Sequence, residues 1–595
     1  MSSGEKSVLV EAIPRWQLLL CIAIVVVLAL GTTWPLWGRY WFPSHEMGRY
    51  LLRTFEYVRG WQDGHVFPRW APDFYGGHGA PTFVLFSPGI LALGGLFHIS
   101  GAELATSLKL AIAVLTATGG LGAFFLVRGE TRRTDAALVA AAAFVFVPYH
   151  FVDLYARGDL AEYGAACLIP VTLWLYRALG RAPYPQLPRI GLGAAIVHAI
   201  LIVTHTLIGQ WATELLFVVL VATMVPHWRT DRRRVVIGAT VLLAALAIAA
   251  YYLVPAFVEM KLLHVERLGG SYNDPMLHMV PVRRFFKFGY WFFGGDTPTD
   301  TPHGVRMPFT IGIPLAAAMV FALACLVRVQ TRRALRGSAL WWALTIAVLF
   351  VMIPFAKPLW SLLPYSSRIQ FPWRLLALAG AVGAAAIGAT WVAVVPGTWR
   401  PRWILALLAV ALIAINGRRF VRISDTEFLS LSKADPAMTA ELIQQWNEGT
   451  AAGEHVPLTV VDMPPQPRST LLELVSGSAQ FHAVQLGGTT YGVTIDAASS
   501  CDLDLALFYF PGWTAVTDSG PAQVAGTASP KGMFRIHVPD AGHYEIRVEL
   551  HHTSVQLFAE IITILFLLGL YPGLRLLVRR KQHSTFDNLP QGACR

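Results

Sequence analysis

The strongest constraint in this chain is a series of apolar windows, each close to 20 residues long, that recurs from Leu18 to Leu577. A hydrocarbon core of about 30 Å is crossed by about 20 apolar residues in a helix, so each window is a candidate span. The 595 residues are 55% hydrophobic and only 14% charged, which rules out a soluble multidomain protein as the starting class. A polytopic α-helical membrane protein is expected. The first window, at 17–37, is longer than a signal-peptide core and lacks a small-x-small cleavage site, so it reads as a retained span. The net charge of +11 could point to nucleic acid, but Lys and Arg gather in short loops between apolar windows, where they set topology. No nucleic-acid partner is expected.

About twelve spans are predicted, at 17–37, 105–127, 136–149, 163–179, 189–208, 210–226, 235–257, 309–327, 338–356, 374–396, 402–416 and 556–577. The short apolar run from Thr82 to Ile99 decides the threading. If it crosses, the basic loops at 127–135, 227–234 and 328–337 fall outside; if it does not, all of them fall inside. The positive-inside rule selects the second threading and makes 82–99 an interfacial or re-entrant helix, helped by Pro81, Pro88 and Gly94–Gly95. A membrane domain over 1–416 then carries outer loops at 38–104, 150–162, 258–308 and 357–373. Residues 417–553 form an extracytoplasmic domain, β-rich in its second half, with a first half that reads as a linker helical around "PAMTAELIQQWNEG". Residues 554–595 supply the last span and a cytoplasmic tail. Five cysteines show no metal spacing and no disulfide framework.

Charged residues at the outer ends of spans are the chemical candidates. Glu46, preceded by His45, lies a few residues beyond span one, and helical spacing would put Arg49, Arg53 and Tyr57 on its face. The plainer reading is a solvated interfacial helix with an ion pair of little value. "HFVDLYARGDLAEYG" at 150–164 brings Asp153, Arg157, Asp159 and Glu162 into one lip, where charges close to hydrocarbon are costly and tend to be functional. Structural capping of the span ends is the alternative. Arg283 and Arg284 in "VRRFFKFGYWFF", and Arg368 and Arg374 in "SSRIQFPWR", are candidate anion binders because the guanidinium fork matches phosphate oxygens. The first pair also suits a plain membrane-surface anchor. His205 ends a span in "VTHTLIG", a place where a histidine is more often structural than a ligand. Gly-rich runs such as "GGLGAF" fall inside spans and fit close helix packing, not nucleotide loops.

Taken in order, "HE", "GHVFPRWAPDFYGGHGAPTFVLFSP", "PYHFVDLYARGDLAE", "THTLI", "IQFPWRLL" and "FYFPGWTAVTDSG" resemble the bacterial pyruvoyl-tetrahydropterin-synthase-related membrane proteins over nearly the whole chain. That family looks like part of the GT-C superfamily of membrane glycosyltransferases, which use lipid-phosphate-linked sugars. The resemblance implies a GT-C-like fold, with Glu46 standing where the family usually has an Asp after His, and Glu162 at the acidic position of "RGxLAE". It also matches His205, Arg368 and Arg374 to recurrent positions, while Asp159 occupies a place expected to be small and neutral.

The expected activity is inverting transfer of a sugar from a polyprenyl-phosphate donor to a glycan, lipid or protein acceptor outside a bacterial inner membrane. Glu46, Asp159 and Glu162 are the expected catalytic residues, and His45, Arg157, His205, Arg283, Arg284, Arg368 and Arg374 the substrate-binding ones. A divalent cation, Mg or Mn, would fall to Asp159 and Glu162. Membrane lipids are the remaining partners. Two other classes compete: a lipid or glycolipid flippase, which predicts charged or broken helices in symmetric halves, and a non-catalytic glycan-binding scaffold.

Overall fold

The computed structural model describes residues 13–38, 41, 44–268, 274–289, 291–293, 307–327, 338–362, 370–399, 401–423, 453–462, 468–519 and 525–586. Its long helices follow the apolar windows. In chain order they are α1 (Arg15–Thr32), α2 (Met47–Gln62), α3 (Gly89–Ile99), α4 (Leu104–Thr131), α5 (Thr134–Val145), α6 (Leu160–Leu179), α7 (Leu187–Thr204) and α8 (Thr206–Met224). Then come α9 (Arg232–Ile248), α10 (Ala250–Glu259), α11 (Gly312–Val327), α12 (Ala339–Val351), α13 (Leu376–Val394), α14 (Arg402–Gly417) and α15 (Ser554–Phe586).

Among the described residues, eight helices are long and apolar enough to span, or up to ten when two bent pairs each count as one. The expected count of about twelve also included α6, a 20-residue helix with Glu162 in its first turn and Arg177 in its last, and α11, only 16 residues long. One break lies at proline; at the other, a hydroxyl of α15 enters the helix, Thr563 Oγ1 accepting the Tyr251 N–H at 2.9 Å and donating to the Ile248 carbonyl at 3.2 Å. Pro354 opens a short turn after α12 and the axis bends by 83°. Between α9 and α10 the bend is 60°, and Pro255 inside α10 has no N–H for the carbonyl of Tyr251 four residues back. That carbonyl instead accepts from the Arg69 guanidinium. The run at 82–99 is likewise broken, into Thr82–Leu85 and α3.

Glycine lets α4 and α6 meet at backbone distance: a Cβ on Gly119 would lie 2.9 Å from the Cys167 carbonyl oxygen, and one on Gly122 2.5 Å from Val171 Cγ2. The basic loops converge on one end of the bundle. Arg177 and Arg181 both reach Glu130 at 2.8 Å, His227 bonds the Gly180 carbonyl at 2.9 Å, and Arg234 donates to the carbonyls of Leu179 and Ala182.

Two four-stranded antiparallel sheets form a sandwich, in strand orders β1-β4-β7-β6 and β2-β3-β8-β5. The strands are β1 (Leu472–Ser476), β2 (Ala479–Gln485), β3 (Thr490–Ala497), β4 (Cys501–Phe508), β5 (Trp513–Ser519), β6 (Ala525–Ala528), β7 (Met533–Val538) and β8 (Gly542–Leu550). Alternation fixes which face is inward: Tyr491, Val493 and Ile495 of β3 are buried together with Tyr544, Ile546 and Val548 of β8. The strands begin at Leu472, earlier than the second half of the 417–553 segment. The helix expected over 436–449 lies outside the described residues.

The sandwich is clasped by the loop "PRWAPDFYGGHGAP" at 68–81. Ala71 and Ala80 pair to close this loop, and Gly79, at φ +73°, admits Trp70 where a Cβ would stand 2.5 Å from the indole nitrogen. From the loop, His78 accepts the Phe508 N–H at its carbonyl (2.9 Å), Trp70 packs edge-on to Trp513 (5.3 Å), and Gly76 accepts the Arg468 N–H (3.0 Å).

Candidate functional site

The local sequence "VDLYARGDLAE" builds a lip from three consecutive features. Val152–Arg157 makes a π-helical turn, a wide turn found often at functional sites. Gly158 then adopts the left-handed conformation (φ +68°) that lets the chain reverse. Asp159 caps α6, its side chain accepting the Glu162 N–H at 3.1 Å. Three carboxylates therefore face one cation. Arg157 binds Asp153, Asp159 (3.0 Å) and Glu162 (2.8 Å), and all four side chains are at least 92% removed from solvent. Arg374 adds a second guanidinium, 3.2 Å from Glu162, and the hydroxyl of Tyr149 donates to the same carboxylate.

Glu46 is brought to this lip by backbone, not by side chains: the His45 N–H donates to the Ala156 carbonyl (3.2 Å) and the Glu46 N–H to that of Arg157 (2.9 Å). Glu46 sits at the N-cap position of α2. One turn into that helix, the Tyr50 hydroxyl donates to Asp159 at 2.7 Å and accepts the Ala161 N–H at 3.1 Å, so α2 and α6 are locked at the lip. Burial raises the Glu46 carboxyl above the ordinary glutamate range, and the negative charge of Asp159 adds to it against Arg157, Arg53 and Arg374. Burial would also raise Asp159, but Arg157, His205 and Arg374 and the Tyr50 hydrogen bond hold it well below the usual range. Two neighbouring carboxylates are thus pushed apart: one raised above the ordinary glutamate range, the other fixed as an anion.

The segment "QFPWR" forms an aromatic wall. Arg157 lies over the Trp373 ring at 4.6 Å; Trp373 stacks on Phe309 (5.2 Å) and Phe371 (5.1 Å); Arg284 lies over Phe309 at 5.5 Å and Arg374 over Phe371 at 5.1 Å. Arg284 is therefore joined to the lip through stacked rings. Its neighbour Arg283 is exposed. His45, also exposed, bonds the Phe293 carbonyl at 2.7 Å. Arg368 lies outside the described residues. Tyr149 also lines a shallow apolar groove between α5, α11 and α13, floored by Ala379, Gly380, Gly383 and Ala384.

His205 stands 4.0 Å from Asp159, and ligand atoms of Asp159, Glu162 and His205 lie within 4.8 Å of one another, close enough for one ion. The donors are otherwise committed. His205 Nδ1 accepts the Ile208 N–H at 3.1 Å, so a neutral ring carries its proton on Nε2 and turns N–H, not a lone pair, towards the carboxylates. Both carboxylates already accept from arginine and tyrosine. As arranged, these residues do not fit a divalent cation.

Within the spans, His198 is satisfied on both sides, by Tyr176 (2.8 Å) and Thr213 (2.9 Å), and Lys109 donates to the Gly38 carbonyl at 3.0 Å. Neither marks a polar path along the bundle. Tyr50, Tyr149 and Trp373 escaped the sequence reading, because an aromatic residue among apolar neighbours carries no signal of the carboxylate or guanidinium it will meet.

No protein-family model matches the chain, and no curated protein does. Solved structures similar to it include two of the mycobacterial arabinofuranosyltransferase AftD. The first shares 15% identity with a TM-score of 0.41, covering 69% of this chain and 27% of that one. The second, a mutant form, shares 16% with a TM-score of 0.40, covering 69% and 28%. The chain thus aligns to little more than a quarter of the length of those proteins.

Proposed function

We propose that the chain is a GT-C-type membrane glycosyltransferase that moves a sugar from a polyprenyl-phosphate donor to an acceptor outside the membrane, with inversion. The observation that carries this reading is the backbone pairing of residues 45–46 with 156–157, which sets a carboxylate of raised pKa beside a fixed anion and two guanidinium groups. The basic loops that meet at the far end of the bundle would face the cytoplasm by the positive-inside rule, which supports the lip and the sandwich lying on the other side.

In this mechanism Glu46 takes the proton of an acceptor hydroxyl as that oxygen attacks the anomeric carbon. The bond from that carbon to the phosphate oxygen breaks, and the electron pair leaves with the lipid phosphate. Arg374, with Arg284 behind the aromatic wall, supports the charge that gathers on the phosphate. Arg368 is a further proposed phosphate contact. The groove beside Tyr149 takes the first isoprene units of the donor, because it is apolar and shares Tyr149 with the lip. Asp159 stays ionised and holds Tyr50 and Arg157 in place, so it positions the lip without exchanging protons. Glu162 does the same for Arg374.

Two expected results follow from the site's charges. A base with a raised pKa must be deprotonated to act, so the rate falls as pH drops through the Glu46 pKa, with the acidic limb above the ordinary glutamate range. A pH–rate profile flat down to pH values typical of free carboxyls removes Glu46 as the base. Because Arg157 and Arg374 already supply the positive charge, EDTA leaves the rate unchanged; loss of transfer restored by Mg or Mn overturns the cation-free reading.

The reading itself is tested in proteoliposomes supplied with polyprenyl-phosphate sugars and a water-soluble glycan acceptor. A transferase makes a new glycosidic bond. A flippase moves intact donor between leaflets without one, and a scaffold does neither.

A further inference from the structure

The loop at 68–81 takes its shape against its own backbone preferences. Tyr75 (φ +55°), Gly76 (+67°), Gly77 (+84°) and Gly79 (+73°) all lie in the left-handed region, where a tyrosine is strained. Such a turn persists only where its surroundings hold it. Asp73 ties it to α2. The Asp73 N–H donates to Glu56 Oε2 at 3.1 Å, and the Asp73 carboxylate pairs with Arg59, one turn further along the helix.

Glu56 is an unusual partner for an aspartate. It has no exposed surface, and its second oxygen, Oε1, is buried with no donor to bond. The carboxyl groups of Glu56 and Asp73 are also in hydrogen-bond contact, although two carboxylates offer each other only acceptors. One proton resolves both conflicts: placed on Glu56, it turns an acid O–H towards Asp73 while Oε2 continues to accept the Asp73 N–H. Asp73, 28% exposed at its side chain and paired with Arg59, is the member that keeps its charge. Burial, and then the negative charge of Asp73, hold the Glu56 carboxyl well above the ordinary glutamate range, against Arg59 and the backbone bond.

The remaining charges nearby are engaged elsewhere. Arg53, three residues earlier on α2, lies over the Phe86 ring at 4.0 Å. Of the helices packed on α2, α3 brings His98, bonded to the Ala102 carbonyl (2.8 Å), and α4 brings Lys109, bonded to the Gly38 carbonyl (3.0 Å). Across the loop, Tyr491 and Arg468 act on one another beside Asp73 and Arg59, and Asp63 acts on Arg59.

We propose that Glu56 is a proton-operated latch on the loop at 68–81. As the acid it donates to Asp73 and fastens the loop, with the sandwich clasped by it, to α2. As the carboxylate it repels Asp73 and lets the loop go. Because α2 also carries Glu46 and Tyr50 to the lip, the latch joins the lip to the sandwich. It operates whether or not the lip transfers sugar. Above the ordinary glutamate range the unfolded chain has released this proton and the folded chain has not, so the folded state loses stability as pH rises towards the folded value.

The test is hydrogen–deuterium exchange of the 68–81 segment in the full chain in nanodiscs, read as the ratio of wild type to Glu56→Gln at the same pH, so that the intrinsic pH dependence of exchange cancels. Glutamine keeps the side-chain volume, an acceptor for the Asp73 N–H and a donor for the Asp73 carboxylate at every pH. The ratio is expected to be close to one at about pH 6 and to rise at least about tenfold by about pH 9, the range that buried glutamates reach. Over the same interval the thermal midpoint of the wild type is expected to fall relative to the variant. Asp73→Asn removes the opposing charge, so the ratio of wild type to Asp73→Asn is expected to rise with pH in the same way, and it decides the matter if Glu56→Gln does not fold. The proposal is overturned if these ratios are the same at both pH values, whether because the wild-type loop stays protected or because the variants open with it.

Discussion

Replacing Arg157 with methionine is expected to destabilise the protein by about 3–5 kcal/mol and to abolish sugar transfer, the scale set by stranding buried charges without their partner. The guanidinium is 5% exposed and is the common partner of Asp153, Asp159 and Glu162. Without it, three carboxylates share a nearly dry lip with Arg374 as the remaining counter-charge on Glu162. Arg157→Lys keeps the charge but loses the planar fork, so it should recover part of the stability and little of the activity, since one ammonium cannot hold three carboxylates at these separations. Thermal unfolding in detergent, at fixed protein and lipid concentrations, measures the loss. A change below about 1 kcal/mol, the scale of a solvated ion pair, would mean that the lip is hydrated and that its charges are not mutually dependent.

The second large effect is on rate with the fold left intact. Glu46→Gln keeps the volume of the side chain and the backbone bonds of residues 45 and 46 to 156 and 157, none of which uses the carboxylate. Removing a positioned base typically costs 10²–10⁴-fold, and we expect a fall of that order with KM for the donor little changed. Asp159→Asn should differ in kind. It removes the anion that receives Tyr50 and Arg157, so it should lower both stability and rate. Equal transfer by Glu46→Gln and the wild-type chain would end the assignment of Glu46 as base.

Much of the helical frame was legible from apolar length, because a window of about 20 residues without charge has few alternatives. The broken spans were less so. Pro354 is visible in the sequence, but the 60° bend between α9 and α10 sits where the Thr563 hydroxyl takes the Tyr251 N–H, a contact 312 residues apart. The site divides in the same way. The lip at 150–164 was legible as charges gathered at a span end, with capping as the alternative, whereas the left-handed Gly158 that turns the chain was not read. The register that sets Glu46 against Arg157 spans more than a hundred residues and leaves no local trace, and Tyr50 joins the lip only because α2 begins at Met47. His205 could be read as structural or as a ligand; the N–H of Ile208 decides its proton, and no spacing rule contains that bond. In the sandwich, alternation marked the late strands, whereas β1 and β2, with largely exposed residues, offered little contrast.

The clasp between the 68–81 loop and the sandwich has a mechanical consequence. Held by Trp70 against Trp513 and by backbone bonds at His78 and Gly76, and continuing directly into α15, the sandwich is anchored at two ends of the sequence and cannot swing as a tethered arm. It works as a fixed gauge. If the lip is the transfer site proposed above, an acceptor lying along the sandwich would present its reacting end at one constant height and angle, and the architecture would set the shortest acceptor served.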